Sequence, residues 1–168
     1  PDWRIYFSTL TASGMQMALE KLSTADEIFF VPLDFRGAVK RFFRAFNPDL
    51  FVLAESEFWP NLLRTAGERT KGVLLINGRI SPKSAGRYFR LKPLIRKVLA
   101  PVDRFLVQTR KDGERLAAIG ISGEKVEVAG NLKAEILLSP LSENDLENIR
   151  SELGLAGENR VVVAGSTH

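Results

Sequence analysis

Two carboxylates, Glu55 and Glu57, follow directly on the apolar run Asp49-Leu50-Phe51-Val52-Leu53. That run reads as a buried strand, so both acids stand just past a strand's C-terminal end. Phe58 and Trp59 come next, then Pro60, a residue suited to the first turn of a helix. In open α/β sheets, ligands bind at the carboxyl ends of the strands. A glutamate held there can act as a general base if its surroundings set its pKa suitably. On position alone the same residues also fit two exposed loop glutamates, one favoured by the positive end of the next helix.

Three further loops follow strand-like segments: Ser8-Thr9, Asn77-Gly78-Arg79-Ile80-Ser81 and Gly130-Asn131-Leu132-Lys133. A parallel sheet would set all of these along one rim. The rim would present carboxylate, guanidinium, amide and ammonium groups, a set suited to a sugar or phosphate substrate. Near the end of the chain, Gly165-Ser166-Thr167-His168 follows Val161-Val162-Val163-Ala164. Backbone N–H groups at a following helix start would form an anion site there; an ordinary strand-to-helix turn with a Ser or Thr cap is the plainer alternative. No Gly-x-Gly-x-x-Gly and no Walker loop occurs, which argues against dinucleotide and P-loop functions. No metal-ligand spacing is present.

Charge is unevenly placed. The formal net charge is +4, yet no acidic residue lies between Glu68 and Asp103. Arg79, Lys83, Arg87, Arg90, Lys92, Arg96 and Lys97 all fall in that stretch. Such a run attracts phosphates, an anionic membrane surface or nucleic acid, unless it is simply a solvated basic face. Tyr88, Phe89, Leu91, Leu94 and Ile95 among these cations give an interfacial look, although packing of one face on the sheet accounts for part of it.

The 168 residues fit one ordinary domain and a remnant, and 45% hydrophobic residues suffice for a core. With no cysteine there is neither a disulfide framework nor a thiolate metal site. The single histidine, His168, is the last residue, which argues against a histidine triad or zinc site. No segment approaches the roughly 18–20 apolar residues of a membrane span, and no signal peptide is visible. Both ends read as internal to a longer protein.

The elements that must position these residues alternate. Strands are expected at 3–9, 27–32, 50–54, 73–76, 104–107 and 125–129. Helices are expected at 11–22, capped by Thr11 or Ser13, and at 35–46, with Val39, Phe42, Phe43 and Phe46 on one stripe. Others follow at 58–69, at 85–99 with a kink at Pro93, and at 111–119, stopped by Gly120. Continuous apolar strands alternating with helices predict a parallel sheet of about six strands covered on both faces. Residues 138–142 look like a connector. Ser142 and Asp145 resemble a capping box for a helix at 143–153, and 160–164 reads as a strand that begins a second α/β domain. The expected division is therefore 1–137 and 138–168.

Several segments together resemble a known family. They are Phe30-Val31-Pro32-Leu33-Asp34, Ala54-Glu55-Ser56-Glu57-Phe58-Trp59-Pro60-Asn61, Ile76-Asn77-Gly78-Arg79-Ile80-Ser81, Gln108-Thr109, Gly130-Asn131-Leu132-Lys133 and Ala164-Gly165-Ser166-Thr167-His168. In this order the chain, from about residue 28 to 168, is similar to 3-deoxy-D-manno-octulosonic acid (Kdo) transferases. Gly78 stands where an alanine is common in that family.

The resemblance implies a Rossmann-like domain forming the N-terminal half of a GT-B glycosyltransferase. It implies an inverting, metal-independent enzyme without a cofactor, moving Kdo from CMP-Kdo to a lipid A precursor at the cytoplasmic face of the bacterial inner membrane. The usual candidate for the main base would lie upstream of Pro1, with the first strand and a membrane anchor, and most of the CMP site beyond His168. The fragment alone would then be inactive. Glu55 matches a second, supporting carboxylate, and Glu57 takes a structural or helix-cap role. Arg79, Lys83 and Arg87 would bind acceptor phosphate or the Kdo carboxylate, since Arg suits such planar anions. Asn131 and Lys133 would line an inter-domain cleft; Ser166, Thr167 and His168 would hold the donor. Trp59 fits core or hinge packing better than a sugar platform. Competing readings are a UDP-sugar-dependent GT-B enzyme, a non-catalytic Rossmann-like anion-binding module, and nucleic-acid binding, for which no recognition motif speaks.

Overall fold

The computed structural model describes residues 3–135 and 142–155. The chain forms two compact units, Pro1–Leu132 and Lys133–His168. In the first, six strands alternate with helices: β1 (Tyr6–Thr9), α1 (Ala12–Lys21), β2 (Glu27–Phe30), α2 (Arg36–Phe46), β3 (Leu50–Ala54), α3 (Pro60–Arg69), β4 (Gly72–Gly78), α4 (Pro82–Arg90), α5 (Lys92–Leu99), β5 (Arg104–Val107), α6 (Arg110–Ala118) and β6 (Val126–Val128). Every strand pairing is parallel. The strands do not join in one sheet of six. They form a pair, β1-β2, and a sheet of four, β3-β4-β5-β6.

Alternation along the strands decides which side chains meet which helices. Val73, Leu75, Phe105 and Val107 share one face of the larger sheet. They pack with Val39 and Phe43 of α2, Leu62, Leu63 and Ala66 of α3, Leu99 of α5 and Leu116 of α6 in one core. Helices α2, α3, α5 and α6 therefore lie on that face. Helix α1 lies on the other side of the pair: the Gly14 backbone approaches the Thr9 side chain so closely that a Cβ would sit 2.4 Å from its Oγ1. The fold thus has helices on both faces of a parallel sheet, as expected.

Helix α2 ties the pair to the sheet of four. Its apolar residues at i, i+3, i+4 and i+7 divide the work: Phe46 stacks on Phe29 of β2 at 4.3 Å and meets Tyr6 of β1 edge-on at 5.2 Å. Phe42 meets Phe29 at 5.4 Å, while fully buried Phe43 reaches Phe51 of β3 at 5.6 Å. Full burial of a ring such as Phe43 stabilises by about 1.5–3 kcal/mol. Asn47, at φ 41°, ends the helix in the left-handed conformation that asparagine tolerates.

The basic segment expected as one kinked helix is two. It breaks at Leu91, which closes α4 and opens α5, and Pro93 occupies the first turn of α5. Proline has no N–H to donate to the preceding turn and its ring clashes with the carbonyl four residues back, so the break precedes it. No described helix is long and apolar enough to cross a membrane.

In the second unit, α7 (Glu143–Glu152) begins with the capping box expected from its sequence: Ser142 accepts from the Asp145 N–H at 3.2 Å and Asp145 accepts from the Ser142 N–H at 3.2 Å. The strand expected at 160–164 lies outside the described residues.

Candidate functional site

The carboxyl ends of β3, β4, β5 and β6 are laced into one rim. Glu55 continues β3 by one residue, its N–H donating to the Ile76 carbonyl at 2.9 Å. It then turns the chain at φ 64°, in the left-handed region. A non-glycine residue there costs roughly 1–2 kcal/mol, and strain of this sort clusters at functional positions. The turn carries the exposed Glu55 carboxylate out at the rim and brings Ser56 back, whose Oγ accepts from the Arg79 N–H at 2.9 Å. Glu55 and Arg79, 24 residues apart in the numbering, thereby stand on adjoining loops.

Asn77 holds the other side. It is buried, at φ 53°, beside an irregularity in the β4–β5 pairing between Leu75 and Gly78. Its carbonyl accepts from Gln108 Nε2 at 3.2 Å, and its Oδ1 accepts from the Leu132 N–H at 3.3 Å. The loop containing Asn131 is so drawn to the end of β4. The packing around Gly78 is close: a Cβ would lie 2.5 Å from Leu75 Cδ2, the far end of a flexible side chain, and 3.2 Å from Val107 Cγ1, so an alanine there requires Leu75 to shift.

Asp112, 2% exposed, anchors the loop that leads from Arg79 into α4. It accepts from the Ile80 N–H at 2.8 Å and from the Thr109 hydroxyl, and Arg115 lies 3.4 Å away. Arg115 also donates to the Ile80 carbonyl. Both backbone groups of Ile80 are thus held by α6. Ser81 then caps α4, accepting from the Ser84 N–H at 3.1 Å.

Lys83 and Arg87 project from α4 and are exposed, as is Arg79. Among the described residues, no cation between Arg79 and Lys97 takes part in an ion pair, so no carboxylate neutralises the positive charge of this surface. Phe89, Leu91 and Leu94 lie exposed among these cations. Tyr88 faces inward against Phe58, ring centroids 5.8 Å apart. Its burial pushes the phenol above the usual tyrosine range, a shift that Arg87 opposes.

Of the two roles expected for Glu57, structural or helix cap, the structure fits the first. Glu57 does not cap α3; its carboxylate accepts from Trp59 Nε1 at 3.3 Å. The cap comes from Asp34, which accepts from the Asn61 N–H at 3.1 Å and the Leu62 N–H at 2.8 Å, while Asn61 Nδ2 donates to the Asp34 carbonyl at 2.7 Å. These are the two N–H groups a local cap would satisfy. Trp59 packs partly buried against the core, as its reading as a packing residue required.

Of the residues singled out in the sequence, Glu55, Arg79 and the Asn131 loop meet at the rim, with Lys83 and Arg87 on the helix that leaves it. Lys133 belongs to the second unit. Ser166, Thr167 and His168 lie outside the described residues. Sequence reasoning missed the parts played by Asn77, Asp112 and Asp34. Their one local signal was an Asn-Gly pair after a strand.

Parallel sheets flanked by helices, with a rim of this kind, are consistent with the N-terminal half of a GT-B glycosyltransferase. The family is narrower. Residues 1–136 match the family model described as 3-deoxy-D-manno-octulosonic-acid transferase (kdotransferase). The chain belongs to the Kdo transferase family. It is 31% identical over 169 residues to the 3-deoxy-D-manno-octulosonic acid transferase of Chlamydia trachomatis, covering 100% of this chain and 39% of that protein. The transferase of that name from Haemophilus influenzae is 31% identical over 173 residues, again 100% of this chain and 39% of the relative. A bifunctional glycosyltransferase/methyltransferase of Fusobacterium nucleatum is 35% identical over 165 residues, 97% of this chain and 26% of the relative. The chain therefore spans well under half the length of these relatives.

Proposed function

We propose that the whole protein transfers Kdo from CMP-Kdo to a lipid A precursor, and that the rim described here is the acceptor side of its site. The observation that carries this reading is the junction of Glu55 and Arg79 through the Ser56 hydrogen bond, opening onto a helix pair without acids. In an inverting transfer a base takes the proton of the acceptor hydroxyl. The freed oxygen attacks the anomeric carbon, and CMP leaves with the bonding electrons. No metal is required if cationic side chains and helix N-termini meet the developing negative charge.

Glu55 is the supporting carboxylate in this account, and the main base lies upstream of Pro1. Arg79, Lys83 and Arg87 bind acceptor phosphate or the Kdo carboxylate. Asn131 and Lys133 line the cleft towards the donor, with Ser166, Thr167 and His168 on the donor side. Exposed Phe89, Leu91 and Leu94 among the cations of α4 and α5 suit a surface resting on anionic headgroups. In this reading the enzyme works at the cytoplasmic face of the inner membrane, and those exposed residues are what supports a membrane surface. The 168-residue chain alone is inactive.

The test is a transfer assay with the full-length protein, a tetraacyl bisphosphorylated lipid A precursor and either CMP-Kdo or UDP-sugars, with and without EDTA. Kdo-lipid formed only from CMP-Kdo, undiminished by EDTA, is the expected result. Transfer from a UDP-sugar instead, or loss of transfer on chelation, would contradict the donor and the metal-independent chemistry respectively.

A further inference from the structure

We infer that Asn77 is a positioning residue for the transfer, whose side-chain oxygen sets the loop Gly130-Asn131-Leu132-Lys133 against Glu55 and Arg79. This rests on the functional reading above, in which Asn131 and Lys133 face the donor.

The loop does not stay where its strand leaves it. β6 is an outer strand of the sheet of four, and β5 separates it from β4. Neighbouring strands lie about 4.8 Å apart, so the ends of β4 and β6 are about 10 Å apart. The Ala129 N–H still donates to the Val107 carbonyl of β5 at 2.9 Å. Gly130 then turns the chain at φ 86°, and the Leu132 N–H reaches Asn77 Oδ1 at 3.3 Å. Between Ala129 and Leu132 the chain therefore crosses the carboxyl end of β5 and is received by a side chain of β4. Leu132 opens a short 3-10 turn, Leu132–Glu135. Its N–H is one of those that such a turn leaves without an internal acceptor, and Asn77 supplies the acceptor. Leu132 is also the last residue of the first unit.

The backbone under Asn77 is fixed. Gln108, just past β5, donates its N–H to the Gly78 carbonyl at 2.9 Å and its Nε2 to the Asn77 carbonyl at 3.2 Å. The pairing of β4 with β5 is irregular between Leu75 and Gly78, and irregularities of this sort re-aim a side chain. At φ 53° glycine would bear no strain. The left-handed backbone accounts for asparagine in place of a bulkier residue. It does not account for asparagine in place of glycine; the bond to Leu132 does.

The same strand end holds the acceptor side. The Ile76 carbonyl accepts from the Glu55 N–H, and the Arg79 N–H donates to Ser56 Oγ. The run Ile76-Asn77-Gly78-Arg79 is thus tied to the Glu55 turn on one side and to the loop of Asn131 on the other. Releasing the loop shifts Asn131 and Lys133 while Glu55 and Arg79 keep their places. The kinetic signature is weaker use of the donor with unchanged use of the acceptor.

Steady-state transfer by the full-length protein, with donor and acceptor varied separately, tests this. Asn77→Gly keeps the left-handed backbone and deletes the oxygen. Leu132→Pro deletes the N–H from the other side; proline is tolerated in the first turn of a helical segment, and the Leu132 side chain is exposed. Each variant should raise KM for the donor about fivefold, the worth of one hydrogen bond, with KM for the acceptor and the thermal midpoint unchanged. The double variant should be no worse than either single one, because both remove the same bond. Amide hydrogen exchange reads the tie without turnover: peptides covering 129–135 should exchange about fivefold faster in Asn77→Gly while those of β4 and β5 stay protected. An unchanged donor KM, equal rises for both substrates, multiplied effects in the double variant or unchanged exchange would each overturn the inference. The functional reading fails separately. Wild-type transfer from a donor other than CMP-Kdo would contradict that reading, while the coupling of Asn77 to Leu132 is measured with the donor the enzyme uses.

Discussion

Glu55→Gln in the full-length protein lowers kcat for Kdo transfer by roughly 100-fold, the scale on which a carboxylate assisting proton transfer acts, and leaves the thermal midpoint unchanged. The substitution keeps the side chain's size and the left-handed backbone, and removes only the charge. Glu55→Gly is the informative companion. At φ 64° glycine relieves a strain that any L side chain bears, so this variant gains about 0.5–1 kcal/mol of stability while losing transfer as Gln does. Opposite movement of stability and activity marks a residue kept for function. Steady-state kinetics with thermal unfolding of both variants checks it. Full activity in Glu55→Gln would show that its carboxylate takes no part.

The second large effect is on stability. Asp112→Ala removes the acceptor of the Ile80 N–H and of the Thr109 hydroxyl, and leaves the half-buried Arg115 guanidinium without its carboxylate. Breaking a buried pair on one side costs 3–5 kcal/mol, and an orphaned N–H adds to this. Because Arg115 retains some solvent contact, the lower end applies, about 3 kcal/mol, or a fall in Tm of about 10 °C. Asp112→Asn, still able to accept from Ile80, loses less than half as much. Urea unfolding followed by tryptophan fluorescence measures both. A loss below 1 kcal/mol for the alanine variant would mean that the Arg79 loop is held by something other than α6.

Local patterns made much of this readable. The stripe of Val39 and three phenylalanines on α2 and the apolar run of β3 have the periods of a helix and a strand, and both elements stand where those periods put them. Glu55 and Arg79 were legible as rim residues because strand ends are marked by where apolar runs stop. Their junction was not, since it depends on Ser56 meeting a backbone N–H 23 residues later. The true cap of α3 was hidden for the same reason. Glu57 is nearby in sequence, but Asp34, 27 residues away from Asn61, satisfies the helix N-terminus. The division into a pair and a sheet of four was equally hidden. Strand periodicity announces a strand, whereas pairing depends on which neighbour is present at each edge.

In the proposed reaction the rim and the basic helices receive the phosphates of a lipid acceptor. The most direct test of this is a titration of the full-length protein with a bisphosphorylated lipid A precursor beside the dephosphorylated form, in the same detergent. Binding should depend on the phosphates and weaken about tenfold with Arg79→Ala or Arg87→Ala, the share of a charge-assisted contact worth about 1.5 kcal/mol. Equal affinity for both lipids, unmoved by either substitution, would contradict it and leave α4 and α5 as a solvated basic face.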